Sequence, residues 1–232
     1  MASTARNKPG EEKITVVEND SNAIDNLQFT YEKNKKPINT IVTLVVVAIV
    51  GYFGYTKLYQ EPRNEKAATA ISFAQRYFEA DSFNRALNGD GQHAGFLKIT
   101  KKFSGTKAAN VSNYYAGICY LNMGDFKNAI KHLEEFDGKG TTLEYLSYGV
   151  LGDANMEAGN TKKGIEYYNK AAGDAANSVV TPLYLFRAGL AYEMENKLDD
   201  AKKAYARIRD EYPQSAQARD MDKYLARLGE LE

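Results

Sequence analysis

Few side chains in this sequence are of the kinds that do chemistry, and their spacing decides what each can be. The run Asn88-Gly89-Asp90-Gly91 has the composition of a phosphate-binding or calcium-binding loop. A dinucleotide fingerprint needs a third glycine three residues after Gly91, where Ala94 stands, and a preceding strand that the surrounding pattern does not offer. A calcium loop needs alternating oxygen ligands and a terminal glutamate, and here only Asp90 is acidic. The stretch therefore reads as a turn between two helices. His93 and His132 are the only histidines, and neither has a cysteine or second histidine at ligand spacing, so no metal site is expected. Cys119, the sole cysteine, has no basic partner in register to favour its thiolate and reads as a small buried thiol. A single cysteine also excludes an intramolecular disulfide. Asp125 and the pair Asp199-Asp200 sit at turns, where a carboxylate caps a helix. No Ser-His-Asp set and no paired carboxylates can be assembled. The reading is of a non-enzyme with no catalytic residue, no cofactor and no small-molecule substrate.

What remains is surface and the elements that present it. With 30 Lys+Arg against 30 Asp+Glu the chain has no net field to attract nucleic acid. Its 232 residues suffice for one large or two small domains. Aromatics are skewed to 17 Tyr and 10 Phe with no Trp, favouring rings that pack while a hydroxyl stays wet.

Residues 38–56, INTIVTLVVVAIVGYFGYT, run without a charge. As a helix they span roughly 28 Å, the hydrocarbon thickness of a bilayer. Tyr52, Tyr55 and Tyr59 gather at one end, where amphipathic rings suit the headgroup level. No small-x-small cleavage site follows, Lys57-Leu58-Tyr59-Gln60 being bulky, and no cysteine follows closely enough for lipid attachment. The run is expected to be a retained transmembrane helix. Basic residues nearly tie across it, Lys33, Lys35 and Lys36 before against Lys57, Arg63, Lys66 and Arg76 after. The tight cluster lies on the N-terminal side, so the N-terminus is expected in the cytoplasm and the C-terminal domain across the membrane. Residues 1–37 are polar with little periodicity and read as a mostly disordered tail, with one amphipathic stretch at 24–31. Residues 57–65 serve as a linker.

From residue 66 to 231 the pattern is helical and repeats. Gly124-Asp125-Phe126-Lys127-Asn128-Ala129 is followed by Gly159-Asn160-Thr161-Lys162-Lys163-Gly164 and Asn196-Lys197-Leu198-Asp199-Asp200-Ala201, with Ala129, Gly164 and Ala201 spaced by 35 and 37 residues. Upstream, Gly117, Gly152 and Gly189 stand in one register, which lets a first helix approach its partner closely. A degenerate first unit, with Phe73, Ala74, Tyr77, Phe83 and Ala86, precedes them, and about eight or nine extra residues fall near 87–96. A last helix, expected at 216–228, caps the stack through Ala216, Met221, Tyr224, Leu225 and Leu228.

This pattern resembles the tetratricopeptide-repeat (TPR) family, whose signature is a Leu-Gly-x-x-Tyr helix, a turn, and Ala-x-x-x-Tyr-x-x-Ala. The resemblance implies an all-α solenoid of about four helical hairpins, which the expected transmembrane helix precedes and the expected capping helix follows. It also implies a concave groove lined by the first helix of each pair. Mapped onto this sequence, the groove residues are Val111, Tyr114, Ile118 and Leu121, then Asp153 and Met156, then Leu183, Phe186, Leu190 and Glu193. The Lys/Arg carboxylate clamp of chaperone-tail TPR domains is missing. An extended peptide or helix is the expected ligand, unless a neighbouring helix such as the C-terminal cap already covers the face.

The whole layout is similar to the ancillary subunit of the bacterial Sec translocon, through the anchor at 38–56, Gln75-Arg76-Tyr77-Phe78 soon after it, and the ending Tyr212-Pro213-Gln214-Ser215. That resemblance implies a bacterial inner-membrane protein with a periplasmic domain, and translocon subunits, chaperones or unfolded clients as partners. Outer-membrane or cell-wall assembly, and a non-catalytic structural subunit of a membrane complex, are the alternatives.

Overall fold

The computed structural model describes residues 19–229, with side-chain surroundings from residue 27 onward. The chain divides into two compact units, Met1–Tyr59 and Gln60–Glu232. Among the described residues the only β-type pairing is an isolated bridge between Gly89 and Ala94, so the fold is all-α.

In the first unit α1 runs over Asn19–Tyr55. It starts well before residue 38, so residues 19–37, read from sequence as tail, are helical. Residues 1–18 of that expected tail lie outside the described residues. The helix breaks once, at Asn34 (φ −116°, ψ 19°), three residues before Pro37. Proline lacks the N–H of the helical ladder, and its ring crowds the carbonyl four residues back. The Asn34 amide donates to the Thr30 carbonyl (3.1 Å), and the Tyr31 hydroxyl bonds Asn39 across the break (3.1 Å). Beyond it the apolar side chains point outward on every side: Ile41 is 61%, Val46 52% and Val50 65% exposed. A single π-turn, Thr56–Gln60, follows.

The second unit is built from helical hairpins. α2 (Glu61–Glu79) pairs with two short helices, α3 (Phe83–Asn88) and α4 (Phe96–Lys102). Then α5 (Lys107–Asn122) pairs with α6 (Phe126–Glu134), α7 (Thr142–Glu157) with α8 (Thr161–Ala171), and α9 (Val180–Met194) with α10 (Leu198–Glu211). The cap is shorter than the 216–228 expected. A 3-10 turn at Ala218–Asp220 leads into α11 (Met221–Arg227), because the Ser215 hydroxyl accepts from the Ala218 N–H and holds residues 213–217 in a turn.

One device repeats through all four hairpins. Each first helix ends on a residue in the left-handed region: Asp81 (φ 52°), Gly124 (76°), Gly159 (77°) and Asn196 (56°). Glycine adopts that conformation without cost, and Asp and Asn tolerate it. The next N–H then bonds back five residues, Ser82 to Tyr77, Asp125 to Tyr120, Asn160 to Asn155 and Lys197 to Tyr192, closing a Schellman-type end. Asp125 further caps α6 by accepting from the Asn128 N–H. The degenerate first unit is thus a true member of the series.

The packing glycines act as their register implies. A methyl group on Gly117 would lie 2.4 Å from Leu133, on Gly152 2.4 Å from Tyr168, and on Gly189 2.4 Å from Tyr205. Leu133, Tyr168 and Tyr205 are equivalent positions of the second helices, and each fills the hollow its glycine leaves. Cys119 is fully buried among Ala67, Ala74, Ala109 and Ala116, and burial pushes its thiol up to about 12. At pH 8 the thiolate fraction then falls on the order of a thousandfold below that of a free cysteine. Native protein should therefore resist a thiol-titrating reagent that labels it rapidly in denaturant; equal rates in both states would contradict this packing.

Candidate functional site: the first-helix face and the C-terminal cleft

The extra residues near 87–96 split the second helix of the first hairpin. Gly89 turns with φ 89°, and a methyl on Gly95 would strike the Leu87 carbonyl at 2.3 Å, so the two arms of the loop touch backbone to backbone. Asp90 organises the loop. One carboxylate oxygen accepts the N–H groups of Gln92 and His93, the other the Tyr77 hydroxyl (2.7 Å) and His93 Nδ1 (2.9 Å). Those bonds, from the His93 side chain first, hold the Asp90 carboxyl well below the usual carboxylate range. The His93 ring in turn stacks on Phe73. Asp90 is consumed by the turn itself, and no group of three or more metal-binding side chains occurs among the described residues.

The ten residues mapped to the groove divide into two stripes on α5, α7 and α9. The first contains Tyr114, which is buried, and Leu121, Met156, Phe186 and Glu193, which are half-buried. Tyr114 is only 9% exposed and packs with Leu133, Leu151 and Phe136. At the equivalent place in α7 stands Gly149, into which Tyr184 of α9 inserts. Phe186 meets Tyr224 of α11 edge-on at 5.2 Å. Met156 abuts Gly164, and Leu121 is half-buried. The second stripe, Val111, Ile118, Asp153, Leu183 and Leu190, is half-buried to exposed. Tyr114 is therefore a core residue, because the next repeat stacks on the face that the mapping left open.

Asp153 and Glu193 are likewise taken up by the fold. Asp153 accepts the Tyr168 hydroxyl (2.7 Å) and pairs with Arg187 of the next repeat. Glu193 accepts the Tyr205 hydroxyl (2.6 Å) and pairs with Arg227 of α11 (2.6 Å). Each latch joins a first helix, the tyrosine of its own second helix, and an arginine from the following element. Burial first, then the adjacent carboxylate, raises both tyrosine hydroxyls far above their ordinary value, so they act only as donors. The repeat register could have suggested Tyr168 and Tyr205 as a pair. The arginines escaped because they occupy no shared register position.

Leu183, Phe186 and Leu190 do come together. With Arg187, Met221 and Tyr224 they line an apolar cleft of about 410 Å³ between α9 and α11. A second cleft of about 520 Å³ adjoins it, walled by Val179, Leu183, Tyr212 and Pro213. Leu190 is 37% and Val179 73% exposed. The cap thus covers part of this face and leaves the rest as a furrow.

Comparison with known proteins agrees with this geometry. A family model for the tetratricopeptide repeat matches residues 112–137 and 184–215, which fall on the α5–α6 and α9–α10 hairpins. No curated protein matches the chain. Among solved structures, the crystal structure of MamA protein superposes with a TM-score of 0.53 over 71% of this chain and 90% of that one, at 18% identity, a likeness of fold. The α7–α8 hairpin between the matched segments carries the same turn and the same packing of a large second-helix side chain against a first-helix glycine, here Tyr168 against Gly152. Repeats of this kind build non-catalytic, protein-binding scaffolds. The helical domain is thus a TPR-like helical-repeat solenoid, two of whose hairpins match the tetratricopeptide-repeat family model.

Proposed function

We propose that the chain is a single-span membrane-anchored scaffold whose repeat domain receives a segment of another protein. The observation that carries the reading is the apolar stretch at 41–53, every residue of which is solvent-exposed. In water such a surface demands a partner, and its length and composition suit the hydrocarbon of a bilayer. The Lys33, Lys35 and Lys36 cluster favours a cytoplasmic N-terminus, placing the repeats on the periplasmic side of a bacterial inner membrane. Of the ten mapped residues, those around Leu183, Phe186 and Leu190 offer the best seat for an extended or helical segment, since their furrow is apolar and partly open. Following the resemblance in layout, the proposed role is that of an accessory factor bringing chaperones or clients to the Sec translocon.

The test has two parts. After an alkaline carbonate wash the chain should stay with the membrane, and Val46→Arg should weaken that retention, since arginine at a helix centre costs about 3 kcal/mol of insertion. A photoreactive residue at Leu190 should then form adducts with translocon subunits or chaperones in intact membranes. Release by the wash would remove the anchor; adducts confined to outer-membrane or cell-wall assembly factors would move the scaffold to that machinery.

A further inference from the structure

The inserted helix α4 presents a face that the repeat stack does not use. Its sequence, FLKITKK, buries Phe96 and Ile99, and Phe103 follows them into the core, so the helix is fixed against α2, α3 and α5. Lys98, Lys101 and Lys102 are left on the outside, all three exposed, and with Asn88 and Leu97 they line one broad shallow depression. No carboxylate pairs with any of these ammonium groups among the described residues. An ordinary second helix of a repeat would have been continuous here. The split turns the helix and places three positive charges on one side of the first hairpin.

The position of that face along the chain is what identifies its partner. The Arg63 guanidinium donates to the Lys102 carbonyl at 3.3 Å, which ties the end of α4 to the first turn of α2. Arg63 is four residues after Tyr59, the last tyrosine flanking the apolar run. Four residues reach at most about 14 Å even when fully extended. The headgroup layer is roughly 5–7 Å deep on each side of the hydrocarbon, and charges act over a Debye length of about 8 Å beyond it. Glu61 and Glu65 share the start of α2 with Arg63 and Lys66, so the positive field comes from α4.

We propose that the Lys98–Lys101–Lys102 face of α4 docks on anionic phospholipid headgroups and holds the first hairpin against the membrane surface. This rests on the membrane-anchored reading above. It adds to it a second, electrostatic contact that limits how the tethered domain can swing, and thereby where the furrow at α9 is offered. Each lysine near an anionic surface contributes about fivefold to the docked population at low salt, so three together contribute roughly a hundredfold.

The experiment uses the full chain with Asn88→Cys carrying an environment-sensitive fluorophore, the buried Cys119 being left unlabelled in the native state. It is reconstituted into phosphatidylcholine vesicles with or without phosphatidylglycerol, each holding a headgroup-attached quencher. Docking predicts strong quenching with phosphatidylglycerol only, reversed by high salt and lost in the triple variant Lys98→Gln, Lys101→Gln, Lys102→Gln. Equal quenching on neutral vesicles, or quenching indifferent to the triple variant, overturns the proposal. So does a salt-sensitive change that occurs only on adding an acidic protein, which assigns the face to a protein partner. Carbonate resistance of the same vesicles scores the anchor separately: a chain that stays inserted but does not dock defeats this inference alone, and one that washes out defeats both.

Discussion

Tyr205→Ala is expected to destabilise the repeat domain by about 3–5 kcal/mol, the range for truncating a large buried aromatic. Tyr205 is fully buried, fills the hollow left by Gly189, and lies against Phe186 and Tyr224 at 6.0 and 5.1 Å. Truncation opens a cavity at the junction of α9, α10 and the cap, and frees Glu193 of its tyrosine donor. Tyr205→Phe separates the two effects. It keeps the ring and removes only the 2.6 Å hydroxyl bond to Glu193, which remains paired with Arg227, so the loss should be about 1–2 kcal/mol. Urea unfolding followed by far-ultraviolet circular dichroism measures both. Because each repeat contacts only its neighbours, hydrogen exchange in the alanine variant should accelerate first in α9 to α11 and least in α5 and α6. Uniform acceleration would mean that the array unfolds as one unit, and a loss under 1 kcal/mol would remove Tyr205 from the core.

The second large effect lies at the junction between the α7–α8 and α9–α10 repeats. Gly149 stands where the neighbouring repeats place Tyr114 and Phe186, and Tyr184 of the next first helix occupies the vacated space. A methyl group at Gly149 would lie within 1.8 Å of the Tyr184 ring, whose outer face stacks on Tyr168 at 6.2 Å and whose exposure is only 5%. Alanine gains about 1 kcal/mol of helix propensity over glycine. Overpacking a ring that has nowhere to go costs about 1–3 kcal/mol, more if the two helices must separate. Gly149→Leu, where no rotamer clears the ring, should therefore destabilise by more than Gly149→Ala and drive the α7–α9 contact apart. Tyr184→Ala alone should cost about 3 kcal/mol through its cavity. Combined with Gly149→Leu it should recover part of the loss, giving a coupling of about 1–3 kcal/mol in a double-mutant cycle. Additive losses would show that the two residues do not share one space.

The same pair shows where sequence reading stops. A glycine three residues before Gly152 is visible in the chain, but as an isolated departure from the Tyr114 and Phe186 register it carries no sign of which side chain replaces the missing one. Tyr184 does so from 35 residues away, across a contact set by the angle at which one hairpin stacks on the next. Asp153 and Glu193 follow the same logic. Both were placed on the groove by register, yet Arg187 and Arg227, each 34 residues further along, reach back and engage them.

Local periodicity was enough for much else. The uncharged run at 38–56, the glycines facing Leu133, Tyr168 and Tyr205, the turns at Gly124, Gly159 and Asn196, and the buried Cys119 all express short-range rules: side-chain size at a helix crossing, backbone freedom at a helix end, and the absence of charge over a bilayer's width. Residues 19–37 and the inserted loop went further than composition indicated. Helix persists from Asn19 through a polar segment, and α4 emerges because Phe96, Ile99 and Phe103 find a core on α2 and α5.

The amino-acid sequence by itself thus determined the repeat, its turns and its apolar segment, since each depends on residues within a few helical turns of one another. Only the tertiary structure decided which faces stay open: that Tyr114 is core, that two carboxylates are latches, that the cap leaves a furrow at Leu190, and that Arg63 is tied to the Lys102 carbonyl at the end of α4. Those outcomes depend on the superhelical stacking of successive hairpins, a long-range geometry that no single helix encodes.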